Sequence, residues 1–142
     1  MGSVTVMDLD EARAVIREQH HGVLATMRRD GTPQMSPIAA GVDDEGRILI
    51  SSRETAFKVR NLRRDPRAWV CVFPDAFYGR WVQIEGRTEV VSLPEALPLL
   101  EDYYRRVSGE HPDWEDYRGA MERERRVLLR IELVRAGPDR SG

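Results

Sequence analysis

The chain has 142 residues, of which 41% are hydrophobic and 32% are charged, and its net charge is −2. This length suits one domain with one core, and the slightly acidic balance argues against a general attraction to nucleic acid or acidic membranes. No apolar run reaches the ~20 residues of a membrane-spanning helix, and the only cysteine, Cys71, cannot form an internal disulfide. We therefore predict a single cytoplasmic domain over residues 1–142, with no nucleic-acid or membrane partner and with Cys71 in its core.

The first predicted elements are a helix and a β-hairpin. The segment DLDEARAVIREQ places its apolar residues on one stripe and carries Asp8 and Glu11 at the spacing of a capping box, which predicts an amphipathic helix. HGVLATMR and PQMSPIAAGV flank an Asp30–Gly31 turn, a pattern typical of two antiparallel strands. A second hairpin at DDEG leads to a third strand, RILISS, so the three strands are predicted to form a meander.

The middle of the chain predicts a short helix followed by two strands. SRETAFKVRNLRRDP can be capped by Thr55 and should end before Pro66. RAWVCVF and GRWVQIEGRTEVV have the composition of strands, and the second is long enough to bend around a small barrel at Gly86.

The C-terminal third changes from strand to helix and back. PEALPLLEDYYRRVSGE and DWEDYRGAMERER predict two helices separated by Gly109 and Pro112, RRVLLRIELVRA predicts a last strand, and the ending GPDRSG is expected to fray. Five strands before the helices and a sixth after them predict a mainly β fold. We expect a six-stranded antiparallel barrel with the helices packed outside it.

The usual signatures of a catalytic site are absent. The sequence contains no GxGxxG, Walker, HExxH or GxSxG motif and no cysteine pair. His20 and His21 lie at the end of the first predicted helix and His111 lies in the loop EHPDW, so we interpret these histidines as structural and predict no metal site. No catalytic residue can be named from the sequence.

Lys58 is the only lysine among the 22 basic residues of the chain. Ser51 and Ser52 end the strand before it, and the free N–H groups at a helix start attract an anion. Asn61 follows at i+3 on the same helix face and could donate to the same ligand. The neighbouring arginines, Arg53, Arg60, Arg63 and Arg64, make the segment strongly basic. The segment is therefore either a phosphate site or a solvated basic helix.

The order of these segments resembles a known family. HGVLATMRRDGTPQMSPI, ILISS, KVRNLRRDPRA and WVQIEGRTEVV follow one another as in the split-barrel flavin and deazaflavin proteins related to pyridoxamine 5′-phosphate oxidase. KxxNLxxDP is the most specific piece, and the closing helices are similar to those of the actinobacterial branch that binds coenzyme F420. The resemblance runs from about His20 to about Ile131, and it implies a homodimer with the cofactor in a groove between the subunits.

The resemblance also implies cofactor contacts at individual positions. The family's phosphate lysine corresponds to Lys58 and its helix asparagine to Asn61, and relatives often carry a second basic residue where this chain has Ala56. Arg53 or Arg60 could replace that residue. The remaining contacts implied by the resemblance come from three stretches: Gln34 and Ser36, Ser51 and Ser52, and Gly79, Arg80 and Trp81.

The resemblance implies an oxidoreductase in which the cofactor carries the chemistry. We expect reduced F420 to deliver a hydride to a conjugated or imine-like small molecule, because the arginine cluster suits the acidic tail of F420. FMN is the alternative cofactor, in an enzyme like pyridoxamine-phosphate oxidase. A second alternative is a protein that binds F420, a flavin or a tetrapyrrole without turnover. The aromatic group Phe73, Phe77, Tyr78 and Trp81 favours a homodimer, because it exceeds what one small core needs.

Overall fold

Residues 7–138 are described by the computed structural model of the chain. Within that range lie the helices α1 (Leu9–Glu18), α2 (Phe57–Arg64), α3 (Ala96–Ser108) and α4 (Trp114–Arg123). The strands are β1 (His21–Met27), β2 (Pro33–Ala39), β3 (Gly41–Val42), β4 (Ile48–Arg53), β5 (Arg67–Val72), β6 (Val82–Val91) and β7 (Arg126–Gly137). None of these helices is long and apolar enough to cross a membrane.

The strands form one antiparallel sheet in the order β2-β1-β5-β6-β7-β4-β3. The sheet curls until β2 at one edge touches β4 near the other, and the helices pack around it. The expected split barrel with peripheral helices is thus confirmed, although the described sheet has seven strands rather than six.

The additional strand arises because the predicted strand PQMSPIAAGV divides at Ala40. The N–H of Ala40 donates to the His20 carbonyl (2.7 Å), and its carbonyl accepts a hydrogen bond from His20 Nδ1 (2.8 Å). β2 therefore pairs with β1, whereas β3 pairs with β4 at the opposite edge. The predicted meander is wrong, because the β1–β2 pair and the β3–β4 pair follow each other along the chain but lie at opposite edges of the sheet.

Two apolar clusters cover the two faces of the sheet. The interior cluster contains alternate residues of the strands, such as Leu24, Ile84 and Ile131, and α1 and α2 contribute to it. The outer cluster packs α3 and α4 against Leu49 and Leu128. Period-two alternation along the strands explains how β4 and β7 serve both clusters.

Glycine has the expected role at the bend of β6. The register with β7 shifts between Glu85 and Gly86, which is a β-bulge. A Cβ atom on Gly86 would lie 2.5 Å from the Glu132 carbonyl oxygen, so the two strands approach too closely there for any side chain. The predicted bend is confirmed.

Several local predictions at the helix ends are wrong. Asp8 precedes α1 but its side chain forms no capping hydrogen bond, and α1 ends at Glu18, before His20 and His21. Thr55 does not cap α2, because Ala56 holds that position. The predicted fraying of GPDRSG concerns mainly residues 139–142, which lie outside the described range.

Cys71 is only half-buried, so its predicted place in the core is wrong. Its neighbours Val70 and Val72 face the interior, and alternation directs Cys71 to the other face of β5. Partial burial raises the pKa of the Cys71 thiol, which keeps it in the less reactive protonated form.

Candidate cofactor-binding site

Four of the predicted site residues come together where α2 covers the β1–β2 hairpin. Lys58 Nζ donates to Ser36 Oγ over 3.5 Å, and Asn61 Nδ2 donates to Thr26 Oγ1 over 3.1 Å. Thr26 Oγ1 in turn donates to Gln34 Oε1 over 3.4 Å. Two polar networks therefore connect the helix to the hairpin, one between Lys58 and Ser36 and the other from Asn61 through Thr26 to Gln34.

Strand register and helix period explain why these side chains meet. Thr26 is paired with Gln34, and Ser36 lies two residues further along the same face of β2. Lys58 and Asn61 are three residues apart, so both project from the face of α2 that packs on the hairpin.

Lys58 carries a charge without a counter-ion. Its side chain is half-buried, and within residues 7–138 it forms no ion pair and donates only to Ser36. Burial, and then the nearby charge of Arg126, lowers the pKa of Lys58 below its ordinary 10.5. A half-buried ammonium that two effects disfavour is well placed to gain from an incoming anion.

A cleft of about 640 Å³ opens beside Gln34 and Asn61. Its lining residues are Arg28, Arg29, Gln34, Phe57, Arg60, Asn61 and Arg64. Within residues 7–138, none of the four arginines in that lining forms an ion pair. The guanidinium of Arg60 lies 5.8 Å from the centre of the exposed Phe57 ring. The cleft is thus strongly basic in a chain whose net charge is −2.

Asn61 is buried and already engaged on both sides of its amide. Its oxygen accepts a hydrogen bond from Arg64, and its nitrogen donates to Thr26. A side-chain amide has two N–H groups, so one remains for a ligand. That Asn61 contacts the cofactor stays a prediction, while its role in joining α2 to β1 is visible.

Comparison with known proteins places this fold and site in a family. The family model for pyridoxamine 5′-phosphate oxidase matches residues 9–137. The chain belongs to this family. The match takes in every strand of the sheet and the whole candidate site.

Three known proteins illustrate the range of similarity to this chain. An F420H2-dependent biliverdin reductase from Mycobacterium tuberculosis is 25% identical over 135 residues, which cover 95% of this chain and 90% of the reductase. The crystal structure of a conserved hypothetical protein from Mycobacterium tuberculosis superimposes with a TM-score of 0.73 at 29% identity, over 96% of this chain and 86% of that one. An F420 reductase structure has a TM-score of 0.68 at 21% identity, over 88% and 94% of the two chains, and shares the fold. The family and the similarity to the biliverdin reductase indicate an oxidoreductase of the flavin or deazaflavin type.

Ser51 and Ser52, near the end of β4, do not act as a pair. Ser52 is buried on the interior face with Ile48 and Ile50, and its hydroxyl donates to the Arg53 carbonyl. Ser51 points to the opposite face, beside Tyr103 of α3. Only one of the two hydroxyls can therefore face any given ligand.

Gly79, Arg80 and Trp81 lie far from Lys58 within one chain. Their loop is held beside α1, where Gln19 Nε2 donates to the Arg80 carbonyl over 2.6 Å. The same loop contacts the start of β1 through Asp75 and His21, whereas the helix that carries Lys58 contacts the end of β1 through Asn61 and Thr26. Five residues of strand separate those ends, or about 17 Å.

The sequence identified only part of the basic surface. Of the four arginines predicted around Lys58, Arg60 and Arg64 line the cleft, whereas Arg53 is paired with Glu124 and Arg63 with Glu54. The other two cleft arginines, Arg28 and Arg29, were missed. The available signal was their position immediately before the Asp30–Gly31 turn, which places them at the tip of the hairpin that α2 covers.

Two positions remain for the second basic contact that relatives often carry beside the lysine. Ala56 itself is half-buried against the interior cluster and offers no charge. Arg60 faces the cleft without an ion pair within residues 7–138, whereas Arg53 is neutralised by Glu124 at 3.2 Å. Of the two, Arg60 is therefore the one that could contact an anion without first losing a carboxylate partner.

Proposed function

We propose that this protein is an F420-dependent oxidoreductase that delivers a hydride from the reduced cofactor to a conjugated or imine-like organic acceptor. The observation that carries the proposal is the ammonium of Lys58, which is half-buried at the start of α2 and has Ser36 as its only partner within residues 7–138. A phosphate oxygen would supply the missing opposite charge.

The residues present suit F420 better than FMN. FMN ends in a phosphate, which Lys58 and Ser36 could hold. F420 continues beyond its phosphate into an acidic lactyl-oligoglutamate tail, and the four cleft arginines, which form no ion pair within the described part of the chain, would match that additional negative charge. FMN would leave most of the basic cleft without a partner.

In this proposal the chain's own residues bind and position rather than react. F420, when bound in its reduced form, supplies the hydride, so the protein needs no nucleophile or acid–base pair of its own. Gln34 and Ser36 would lie along the ring side of the cofactor, and Asn61 would add a donor near the phosphate. Hydrogen bonds from Asn61 through Thr26 to Gln34, and from Lys58 to Ser36, keep these side chains in place, which favours a fixed orientation of cofactor and acceptor.

We further propose that the site is completed by a second copy of the chain. Gly79, Arg80 and Trp81 cannot reach the Lys58 region of their own chain without a large movement, but the corresponding loop of a partner could lie over it. Phe77 and Tyr78 in this loop are 62% and 84% exposed, and contact with a partner would remove those rings from water. Light scattering should give the mass of a dimer, and a single-chain mass at micromolar concentration would contradict this arrangement.

The acceptor to test first is biliverdin, because a relative 25% identical to this chain is a biliverdin reductase. A linear tetrapyrrole is conjugated and contains imine-like groups, so it belongs to the proposed class of acceptors. Oxidation of reduced F420 on addition of biliverdin would support an enzyme. Binding of F420 without turnover of any conjugated acceptor would support a carrier instead.

The deciding experiment is a spectral titration of the purified protein with F420 and with FMN at several salt concentrations. We expect tighter binding of F420, with an affinity that weakens as salt rises because charge contacts are screened. Equal affinities that do not depend on salt would reject the deazaflavin assignment. Tighter binding of FMN would support the alternative of an oxidase-like flavin enzyme.

A further inference from the structure

Glu124 places its carboxylate between two arginines from neighbouring strands. Its Oε1 atom accepts hydrogen bonds from Arg53 Nη2 at 3.2 Å and from Arg126 at 3.2 Å (Nε) and 2.8 Å (Nη2). One oxygen therefore receives three N–H donors. Such an arrangement is the ordinary geometry of a bound anion.

The sheet register brings the two arginines together. Arg53 is the last residue of β4 and Arg126 the first of β7, and they are paired directly across the sheet. Glu124 follows the end of α4. Arg125, between Glu124 and Arg126, has φ of 52°, in the left-handed region that residues with side chains seldom adopt. This turn directs Glu124 back onto the side chain of Arg126.

The arginine pair belongs to the same electrostatic region as Lys58. After burial, the charge of Arg126 is the second cause of the lowered pKa of Lys58. Hydrogen bonding to Arg126 lowers the pKa of Glu124, so this carboxylate stays ionised. Arg126 thus acts on the charge of Lys58, and it shares the carboxylate of Glu124 with Arg53.

We propose that Arg53 and Arg126 form an anion seat that Glu124 occupies in the free protein and that a phosphate group entering beside Lys58 takes over. This rests on the proposed function only in that the phosphate of the cofactor would be the natural ligand. Inorganic phosphate and the phosphate of FMN offer three acceptor oxygens and more charge than a carboxylate, so they are the stronger partners for two guanidinium groups. The phosphate of F420 is bonded on both sides, and with one charge and two free oxygens it would compete less strongly with Glu124.

The displaced carboxylate of Glu124 could move into solvent. The side chain of Glu124 is 32% exposed and lies at a helix end, so rotation would return it to water without opening the core. Glu124 would then act as an internal competitor that lowers the affinity for every phosphate ligand and neutralises the arginine pair when none is bound.

Titration with inorganic phosphate, followed by calorimetry, tests the proposal on the full-length chain. Glu124→Gln removes the competing charge and keeps the shape, and we expect phosphate to bind about tenfold more tightly than to the parent, equivalent to about 1.4 kcal/mol. Glu122→Gln is the matched control, because Glu122 is an exposed residue of α4 two positions before Glu124, and it should leave the affinity unchanged. Unchanged or weaker binding by Glu124→Gln would overturn the proposal, because it would make Glu124 a residue that only orients Arg126.

Two further variants locate the effect. Glu124→Asp keeps the charge but withdraws it by one methylene, so a smaller gain in affinity is expected. Arg126→Gln added to Glu124→Gln should abolish the gain, and a gain that persists would place the phosphate elsewhere. Circular dichroism checks that each variant is folded.

A parallel titration with F420 and FMN separates this inference from the proposed function. If neither cofactor binds the parent or Glu124→Gln, the proposed function fails. The tenfold change for inorganic phosphate would still establish the anion seat.

Discussion

Arginine serves opposite purposes in two regions of this molecule. Around the α3–α4 hairpin, Arg105, Arg106 and Arg118 are each paired with a carboxylate, from Glu110, Asp102 and Glu101 respectively. In the cleft beside α2, four arginines have no such partner within residues 7–138. The number of arginines does not distinguish the two regions. The absence of ion pairs among the described residues does, and it marks the cleft as the region that can take an anion.

The aromatic residues of the hairpin agree with a structural role. Tyr104, Trp114 and Tyr117 pack edge to face, with ring centres 5.1–5.8 Å apart. His111 lies against Tyr104 and accepts a hydrogen bond from the Asp113 N–H, which supports its interpretation as a structural histidine. If the comparison is right, changes in the hairpin alter stability and changes at the cleft alter binding.

Leu100→Ala should give the largest effect, and it should affect stability alone. Leu100 is fully buried between α3 and the sheet, and the loss of such a side chain costs about 2–5 kcal/mol. Urea unfolding measures this change, and titration at a temperature where the variant is folded should show the parent's affinity for F420. A large loss of affinity in the folded variant would show that the two regions are coupled.

Lys58→Ala should show the reverse pattern. We expect weaker cofactor binding by about 1.5–3 kcal/mol, since a charge-assisted contact is lost, and a change in stability within about 0.5 kcal/mol. Lys58→Arg keeps the charge but changes its shape, so a partial loss is expected. Parent-like binding of F420 and FMN by Lys58→Ala would remove the basis of the proposed phosphate position.

The α3–α4 hairpin should also make the stability of the protein depend on pH in the alkaline range. Burial raises the pKa of Tyr117 from 10.0 to about 12. Because the unfolded chain loses this proton first, the contribution is complete below pH 10 and is lost as pH rises toward 12, by up to about 2–3 kcal/mol. Tyr117→Phe should flatten this part of the stability profile. The part that remains would come from Tyr103, whose pKa burial also raises. An unchanged slope would show that Tyr117 is accessible to water in the folded state.

The smallest predicted effect compares one arginine from each region. Arg60→Ala should weaken F420 binding by about 0.5–1 kcal/mol, as expected for a partly exposed charge pair, and should weaken FMN binding less. Arg105→Ala removes the same side chain from a position paired with Glu110 and stacked on Trp114, and it should leave both affinities unchanged. Equal effects of the two variants would mean that only the overall charge of the protein matters.

The sequence predicted the fold where local patterns decide it. The helix with Lys58 in its first turn and the bend at Gly86 were both found, because helix periodicity and the steric demand for glycine act over a few residues. The division at Ala40 was missed, since the residues on both sides of it form a continuous strand-like run. Which edge of the sheet each half joins depends on pairing with β1 and β4, and no local pattern contains that information.

The candidate site was predictable in the same uneven way. The i, i+3 spacing of Lys58 and Asn61 placed both on one helix face, and the structure agrees. Period-two alternation could have shown that Ser51 and Ser52 face opposite sides. The carboxylate partners of Arg53 and Arg63, by contrast, come from Glu124 and Glu54, and the first of these is 71 residues away in the chain. Charge that is cancelled over such distances cannot be recognised from the sequence alone.

The junction at Ala40 has a mechanical consequence for the whole barrel. Ala39 accepts a hydrogen bond from the Tyr103 hydroxyl, His20 holds Ala40 through two hydrogen bonds, and the Val42 carbonyl accepts one from Arg106. The two edges of the sheet are therefore joined covalently and fastened at one end. Separation of the edges must be greatest at the other end, where β4 leads into α2. We therefore expect thermal opening of the barrel to be concentrated beside Ser36 and Lys58, where a bulky cofactor could enter while the core stays closed.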